Sequence, residues 1–410
     1  MKKLLISFLV LLPLSLMGKS RILAPNLASL EVRVNGDWLS PAVMKLNSDD
    51  YLDVAFDELS HTFHRYIYRI ERCENDWSPS TELFESEWLE GFNDNTIDEY
   101  ANSVITSVAY THYKLRIPND RCRLKMSGNY RIHIFDEKDD DESEILTAEF
   151  MVTEQTMSLQ LEVTTNTDID TNHSHQQLSM RLGYGNTLVV APENQIYTLV
   201  QQNNREDNMK QNISPNMVTT NGLEWTHRKG LIFDGGNEYH KFEVLDVSHP
   251  TMGIDYIRWD GQNYQAFPFT DEARINYLYD EDADGAFYIR NSDNWEIETT
   301  CDYVWVNYRL KIPRIPGADI FIDGDWTLSD TSLYKMDYDE QQQMYTARVL
   351  QKQGYYSYQY LMQETSRSPR LAPFEGNYYQ TENKYQAYVY YRGTGERTWR
   401  LVAFSQLSSF

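Results

Sequence analysis

Residues 64–70, HRYIYRI, put Tyr66, Tyr68 and Ile70 at every second position. That is the spacing at which side chains of an extended strand share a face, so the run buries one row as a strand and makes no helical stripe. The pattern recurs in Leu30-Glu31-Val32-Arg33-Val34, in 51–56, in 113–117, in 130–135 and in 159–163. Turn formers punctuate it: Asn35-Gly36-Asp37, Pro118-Asn119 and Ser127-Gly128-Asn129. With 30 Tyr, 16 Phe and 9 Trp among its residues, the chain is expected to be all-β, a tandem of immunoglobulin-like β-sandwich domains following a cleaved signal peptide.

Punctuation and composition divide the 410 residues into a signal peptide over 1–20 and three units over 21–155, 156–313 and 314–410. The leader reading rests on Met1-Lys2-Lys3, the apolar run Leu4 to Met17 and the small residues Gly18 and Ser20. That run is too short to span a bilayer, so the expectation is an exported protein without direct membrane insertion. In the first unit, residues 136–144, DEKDDDESE, read as a solvated hairpin tip. The Asn- and Gln-rich stretch 201–222 reads as turns, and Pro313 with Pro316-Gly317 as the linker into the third unit. There KYQAYVYYR and TWRLVAF read as a hairpin around Gly393-Thr394-Gly395.

A formal charge of −24 excludes a phosphate-backbone binder, which needs clustered Lys and Arg, and disfavours anionic lipid head groups for the same reason. Three cysteines, Cys73, Cys122 and Cys301, leave at least one unpaired. Cys73 and Cys122 form a bridge within the first unit, or all three are buried thiols; both readings stand.

No constellation for catalysis emerges. There is no Gly-x-Ser-x-Gly elbow and no phosphate-cradling glycine loop, and carboxylate pairs such as Glu85 with Glu87 arise by chance among 61 acidic residues. Asp280-Glu281-Asp282-Ala283-Asp284-Gly285 matches the head of a calcium loop, but its twelfth position is Asn291 rather than the required Glu, so a hairpin turn between RINYLY and AFYIR is preferred. His173-Ser174-His175 reads as an exposed loop rather than half of a zinc site. Trp326, Tyr355, Tyr356 and Tyr358 offer either a stacking platform for a sugar ring or the core between two sheets, and core is preferred. Catalytic, cofactor and metal residues are therefore all expected to be none.

Residues 71–100 break the alternation for longer than an ordinary connection, yet carry Trp77, Trp88 and Phe92 among many carboxylates. A loop so rich in large apolar side chains is expected to be ordered and functional. Its candidate partner contacts are Trp77, Trp88, Phe92, Asp94 and Asp98, with the two tryptophans either inside the sandwich or facing the partner.

The same segment carries a resemblance. Cys73, Asp76-Trp77, Ser80, Gly91-Phe92, Ile97, Tyr100 and Ser103, then Tyr110, His112-Tyr113, Leu115, Pro118-Asn119 and Ser127-Gly128-Asn129-Tyr130, resemble the N-terminal domain of the type IX secretion system plug proteins. Glu375-Gly376-Asn377, Thr381-Glu382-Asn383 and the Val389-Tyr390-Tyr391 strand resemble that family's C-terminal segment. The resemblance implies a non-enzymatic periplasmic protein, without cofactor, that binds the periplasmic mouth of the outer-membrane translocon β-barrel and seals it when no cargo passes. It implies a monomer within that complex, held peripherally at the outer membrane through the translocon. A periplasmic glycan-binding β-sandwich protein is the alternative.

Overall fold

Two sheets face each other across one core in the first unit of this computed structural model, which describes residues 19–138, 141–328 and 331–410. The leader reading therefore lies, but for Lys19 and Ser20, outside the described residues. One sheet orders the strands Arg21–Ile22, Asp141–Thr153, Gly128–Lys138, Tyr66–Cys73 and Asn95–Thr96, with Val43–Lys45 added beside Asp141–Thr153. The other orders Leu27–Val34, Leu52–Glu58, Thr111–Ile117 and Glu99–Asn102. Alternation decides what each contributes: Leu52, Val54 and Phe56 from one sheet meet Tyr66, Tyr68, Ile70, Tyr130, Ile132 and Ile134 from the other. Each such side chain contributes about 1.5–3 kcal/mol by leaving water. The acidic run 136–144 is not all tip: the ladder continues until Lys138 stands opposite Asp141, and 139–140 lie outside the described residues.

The second unit is also two-layered, and it is discontinuous in sequence. Strands Ser158–Thr164, His175–Gly183, Gly222–Trp225 and Met217–Thr219 form one sheet, with Ile232–Asp234 beside His175–Gly183. The facing sheet orders Lys210–Gln211, Ile196–Gln202, Lys384–Tyr391 and Arg400–Ser408. The expected C-terminal hairpin forms, but it closes this sandwich: Tyr385, Ala387 and Val389 join Leu178, Trp225 and Phe233 in one core.

Between these halves the chain makes the third unit, an eleven-stranded sheet running from His240–Val244 at one end of its order to Ile254–Trp259 at the other. Units over 156–313 and 314–410 are therefore corrected. Tyr303–Lys311 pairs with Met344–Lys352 across the supposed boundary, and the prolines at 313 and 316 turn the chain within one unit. Sheet partners far apart in sequence outvote local punctuation, because each ladder hydrogen bond left unmade would strand a buried backbone group.

The Asn- and Gln-rich stretch does structural work that its composition does not announce. Gln202 Nε2 donates to the Asp234 carbonyl at 2.9 Å and to Tyr385 Oη at 3.0 Å. Asn203 Nδ2 donates to Asn383 Oδ1 at 2.7 Å, while Asn203 Oδ1 accepts from Lys384 N at 2.8 Å. The Asp284-Gly285 turn adopts the expected positive φ of 52° and 93°, but residues 274–279 are not a strand, so the expected hairpin is not formed. Their place is taken by side-chain bonds: Lys241 reaches Asp280 at 2.6 Å and Lys384 lies 3.3 Å from Asp284. All three cysteines are buried free thiols, so of the two readings the unbridged one holds. Burial pushes the Cys73 thiol up to about 12. Among the described residues no helix is long and apolar enough to cross a membrane.

Candidate interaction surface

The segment after Tyr66–Cys73 is ordered throughout, and its first half builds a seam with the second unit. Arg72, whose neighbouring residues belong to the signature segment, is buried and spends its guanidinium on acceptors from both sides. Its Nη2 donates to the carbonyls of Ser127 at 2.9 Å and Trp399 at 2.7 Å, and its Nη1 donates to Ser80 Oγ at 2.8 Å and to Thr398 Oγ1. Glu74 accepts from Thr398 Oγ1 at 2.7 Å and from Trp399 N at 3.0 Å. Asn129 Oδ1 accepts from Tyr390 Oη at 2.8 Å, and beside it Tyr388, Tyr390 and Leu401 pack on Val43 and Met151. Gly128 is required here: at a φ of 138° a Cβ would lie 2.8 Å from the Arg72 guanidinium.

A second seam joins the first unit to the third. Lys352 Nζ donates to Asp57 Oδ2 at 2.7 Å with both side chains buried, and to the Glu298 carbonyl at 2.8 Å. Tyr303 Oη donates to the same Asp57 oxygen at 2.7 Å, and His112 Nδ1 lies 2.7 Å from the other. Burial alone would push the Asp57 carboxyl up, but the Lys352 ammonium and His112 hold it below the usual carboxylate range. Tyr110, another signature residue, donates to the Cys301 carbonyl at 2.8 Å, and Lys352 Nζ stands 4.1 Å from its ring centre.

The five expected contact residues separate in space. Trp88 ends the short helix Glu85–Trp88 and is only 6% exposed, its ring 5.9 Å from Tyr130 in the core. Trp77, at a φ of 64°, is half-buried and lines a cavity of about 210 Å³ where the three units meet. Phe92 is 76% exposed and so is Phe84, which the sequence reading passed over. Phe92 stands where it does because Gly91, at a φ of 102°, brings its backbone against the Arg121 carbonyl, at a point where a Cβ would sit 2.0 Å from that oxygen. Asp94 and Asp98 are exposed beside it, paired with Arg69 at 2.9 Å and with Arg121. The segment thus presents two phenylalanines and a carboxylate rim, with its tryptophans turned inward.

Elsewhere the aromatic run of the third unit is core: Trp326, Tyr356 and Tyr358 pack with Phe242 and Tyr308, and Tyr355 lies half-buried against Trp38. His240 sits between Asp271 at 3.0 Å and Glu375 at 3.1 Å. Burial opposes its charge, but the two carboxylates push it up to about 9. Both ring nitrogens face carboxylates, so this is an internal ion cluster rather than a poised base. His175 is held by Asp170 at 2.6 Å and Asp234 at 3.3 Å, and among the described residues no group of three or more His, Cys, Asp or Glu side chains could hold a metal.

Architecture and surface together define an all-β scaffold of three mutually braced units, with Phe84, Phe92, Asp94 and Asp98 exposed on the first. Residues 27–154, nearly all of the first unit, match the family described as type 9 secretion system plug protein, first domain, so the chain carries the first domain of the type IX secretion system plug protein family. It is similar over its length to a hypothetical protein from Parabacteroides merdae with a crystal structure: 35% identity, 95% of this chain and 98% of that chain covered, TM-score 0.91. The C-terminal domain of the Streptococcus pyogenes antigen I/II-family protein AspA, at 7% identity, 95% and 99% coverage and a TM-score of 0.19, is too distant to bear on the fold. No curated protein matches the chain. The plug-domain match ties the chain to the type IX secretion machinery.

Proposed function

We propose that this protein is a non-enzymatic periplasmic plug, binding the periplasmic mouth of the outer-membrane translocon β-barrel and sealing it when no cargo passes. The observation that carries the reading is the match of the first unit to the plug family together with what that unit presents, Phe84 and Phe92 beside Asp94 and Asp98. Apolar anchors ringed by charge are how a releasable interface of about 1,000 Å² or more is built. Two buried seams hold the other units rigidly behind this surface, as occluding a wide pore requires. The glycan alternative has no support from its platform, since Trp326, Tyr356 and Tyr358 are buried in the core.

The test is copurification from detergent-solubilised outer membranes, where a large barrel is expected to accompany the protein and to dissociate more readily as salt rises, because the acidic rim speeds and orients association. A deletion strain is expected to admit bulky antibiotics. Normal permeability in that strain, or purification without a barrel, overturns the reading.

A further inference from the structure

The strand Glu99–Asn102 is the outer edge of its sheet, and the loop that follows it, 103–110, carries an anomaly. Ile105 has a φ of 60° and is 96% exposed. It is the only β-branched residue at positive φ among the described residues. A branched Cβ clashes with its own backbone in that region, and a bare isoleucine gains nothing from water, so neither feature serves folding.

The loop is nonetheless clamped in place. Ser103 N donates to the Tyr110 carbonyl at 2.8 Å, Tyr110 N donates to Ser103 Oγ at 3.1 Å, and His61 Nε2 lies 2.9 Å from that hydroxyl. Thr106 Oγ1 donates to the Val108 carbonyl at 2.8 Å. The third unit grips the other side: Val104 N donates to the Thr299 carbonyl at 2.9 Å, and Ser107 N and Val108 N donate to Asp302 at 2.8 and 3.2 Å. Strain persists in a fold only where surroundings over-determine it, and it concentrates at clamps and recognition sites.

Around the tip the apolar surface continues. Val104 is exposed, and so are Phe63 and Tyr100, whose ring centres lie 5.1 Å apart with the planes tilted at 51°. The border is acidic: Glu99 on the edge strand, and Glu296 and Glu298 at the short helix Ile297–Thr300 whose Thr299 holds Val104. The cation among them, Lys114, is already paired with Glu298 at 3.0 Å.

We infer that Ile105 is a preformed anchor that inserts into an apolar socket on a protein partner, a socket bordered by Lys or Arg to match Glu99, Glu296 and Glu298. The inference rests on the plug reading, for which it names a contact surface at the junction of the first and third units, separate from Phe84 and Phe92. A rigid apolar anchor pays little ordering entropy on binding, and such positions dominate interface energetics.

The test uses the full chain and the barrel purified from outer membranes. Ile105→Gly removes the anchor and also the strain, so it is expected to raise the Tm while weakening association by about tenfold or more. Ile105→Lys is expected to weaken association as much. If wild type binds the barrel and both variants bind within twofold of it, the anchor is overturned and the plug reading stands. If wild type does not bind the barrel at all, the plug reading falls and the anchor with it. A lower Tm for Ile105→Gly overturns the assignment of strain on which the anchor is argued.

Discussion

The two seams that hold the first unit solve the same problem with different centres. Toward the second unit, buried Arg72 donates to the carbonyls of Ser127 and Trp399 and lies 3.7 Å from the Glu74 carboxylate, beside an apolar cluster of Tyr388, Tyr390 and Leu401. Toward the third, the centre is a fully buried ion pair, Lys352 with Asp57. The guanidinium keeps its charge across the range where proteins live, and its carbonyl acceptors carry none. A buried pair depends on both charges, because desolvating either alone costs more than their attraction returns. The first seam therefore combines carbonyl acceptors with partly exposed carboxylates, whereas the second is centred on a buried pair that a change of charge on Asp57 can open, and it is also the seam that grips the Ile105 loop.

The comparison is broken most directly at the ion pair. Lys352→Met leaves Asp57 charged and buried, and is expected to cost about 3–5 kcal/mol of stability in urea unfolding, with Asp57→Asn in the same chain restoring much of it. A single-variant cost comparable to an exposed pair would remove the distinction between the seams. Arg72→Met strands two buried carbonyls and Glu74, and is expected to cost about 2–3 kcal/mol by the same measurement.

Titration sharpens the contrast. Asp57 is held below its ordinary range in the folded chain, so its contribution is fully present above about pH 4 and is lost as pH falls through the folded value. The His240 cluster has the opposite sign. Its folded value near 9 makes its contribution fully present below about pH 6.5 and lost as pH rises through the folded value. The Tm of wild type is expected to fall at both extremes. Asp57→Asn is expected to flatten the acid limb, and His240→Gln the alkaline one; a pH profile unchanged by either substitution would refute the assignment.

The smallest expected effect is the most specific. Tyr390 Oη donates to Asn129, whereas the neighbouring Tyr388 Oη is buried with no hydrogen-bond partner among the described residues. Tyr390→Phe is expected to cost about 1 kcal/mol and Tyr388→Phe about zero; equal costs would mean that the hydrogen bond across the seam contributes nothing.

Much of this was legible in the chain. Alternation at Leu30–Val34, 51–56, 66–70 and 130–135 located strands, and their buried faces, because a period of two is a local property of extended backbone. The signature residues were legible as a pattern but not as parts. Ser80, Ser127, Gly128 and Asn129 line one seam, while Tyr110 and His112 line the other, and no spacing in the sequence says which partner completes each. Trp88 against Phe92 shows the same limit: both are aromatic residues in one acidic segment, and only the short helix and the Gly91 turn send one inward and the other out.

From the chain alone follow the all-β class, the positions of most strands and the kinship with the plug family, since strand periodicity and motif spacing are written in consecutive residues. Tertiary structure alone decided that the last hairpin closes the second sandwich, that Lys352 meets Asp57 across 295 positions, and that Ile105 stands bare on a strained, clamped loop. Those outcomes depend on which distant backbone edges and charges find one another when water is excluded, and nothing local in the sequence encodes that choice.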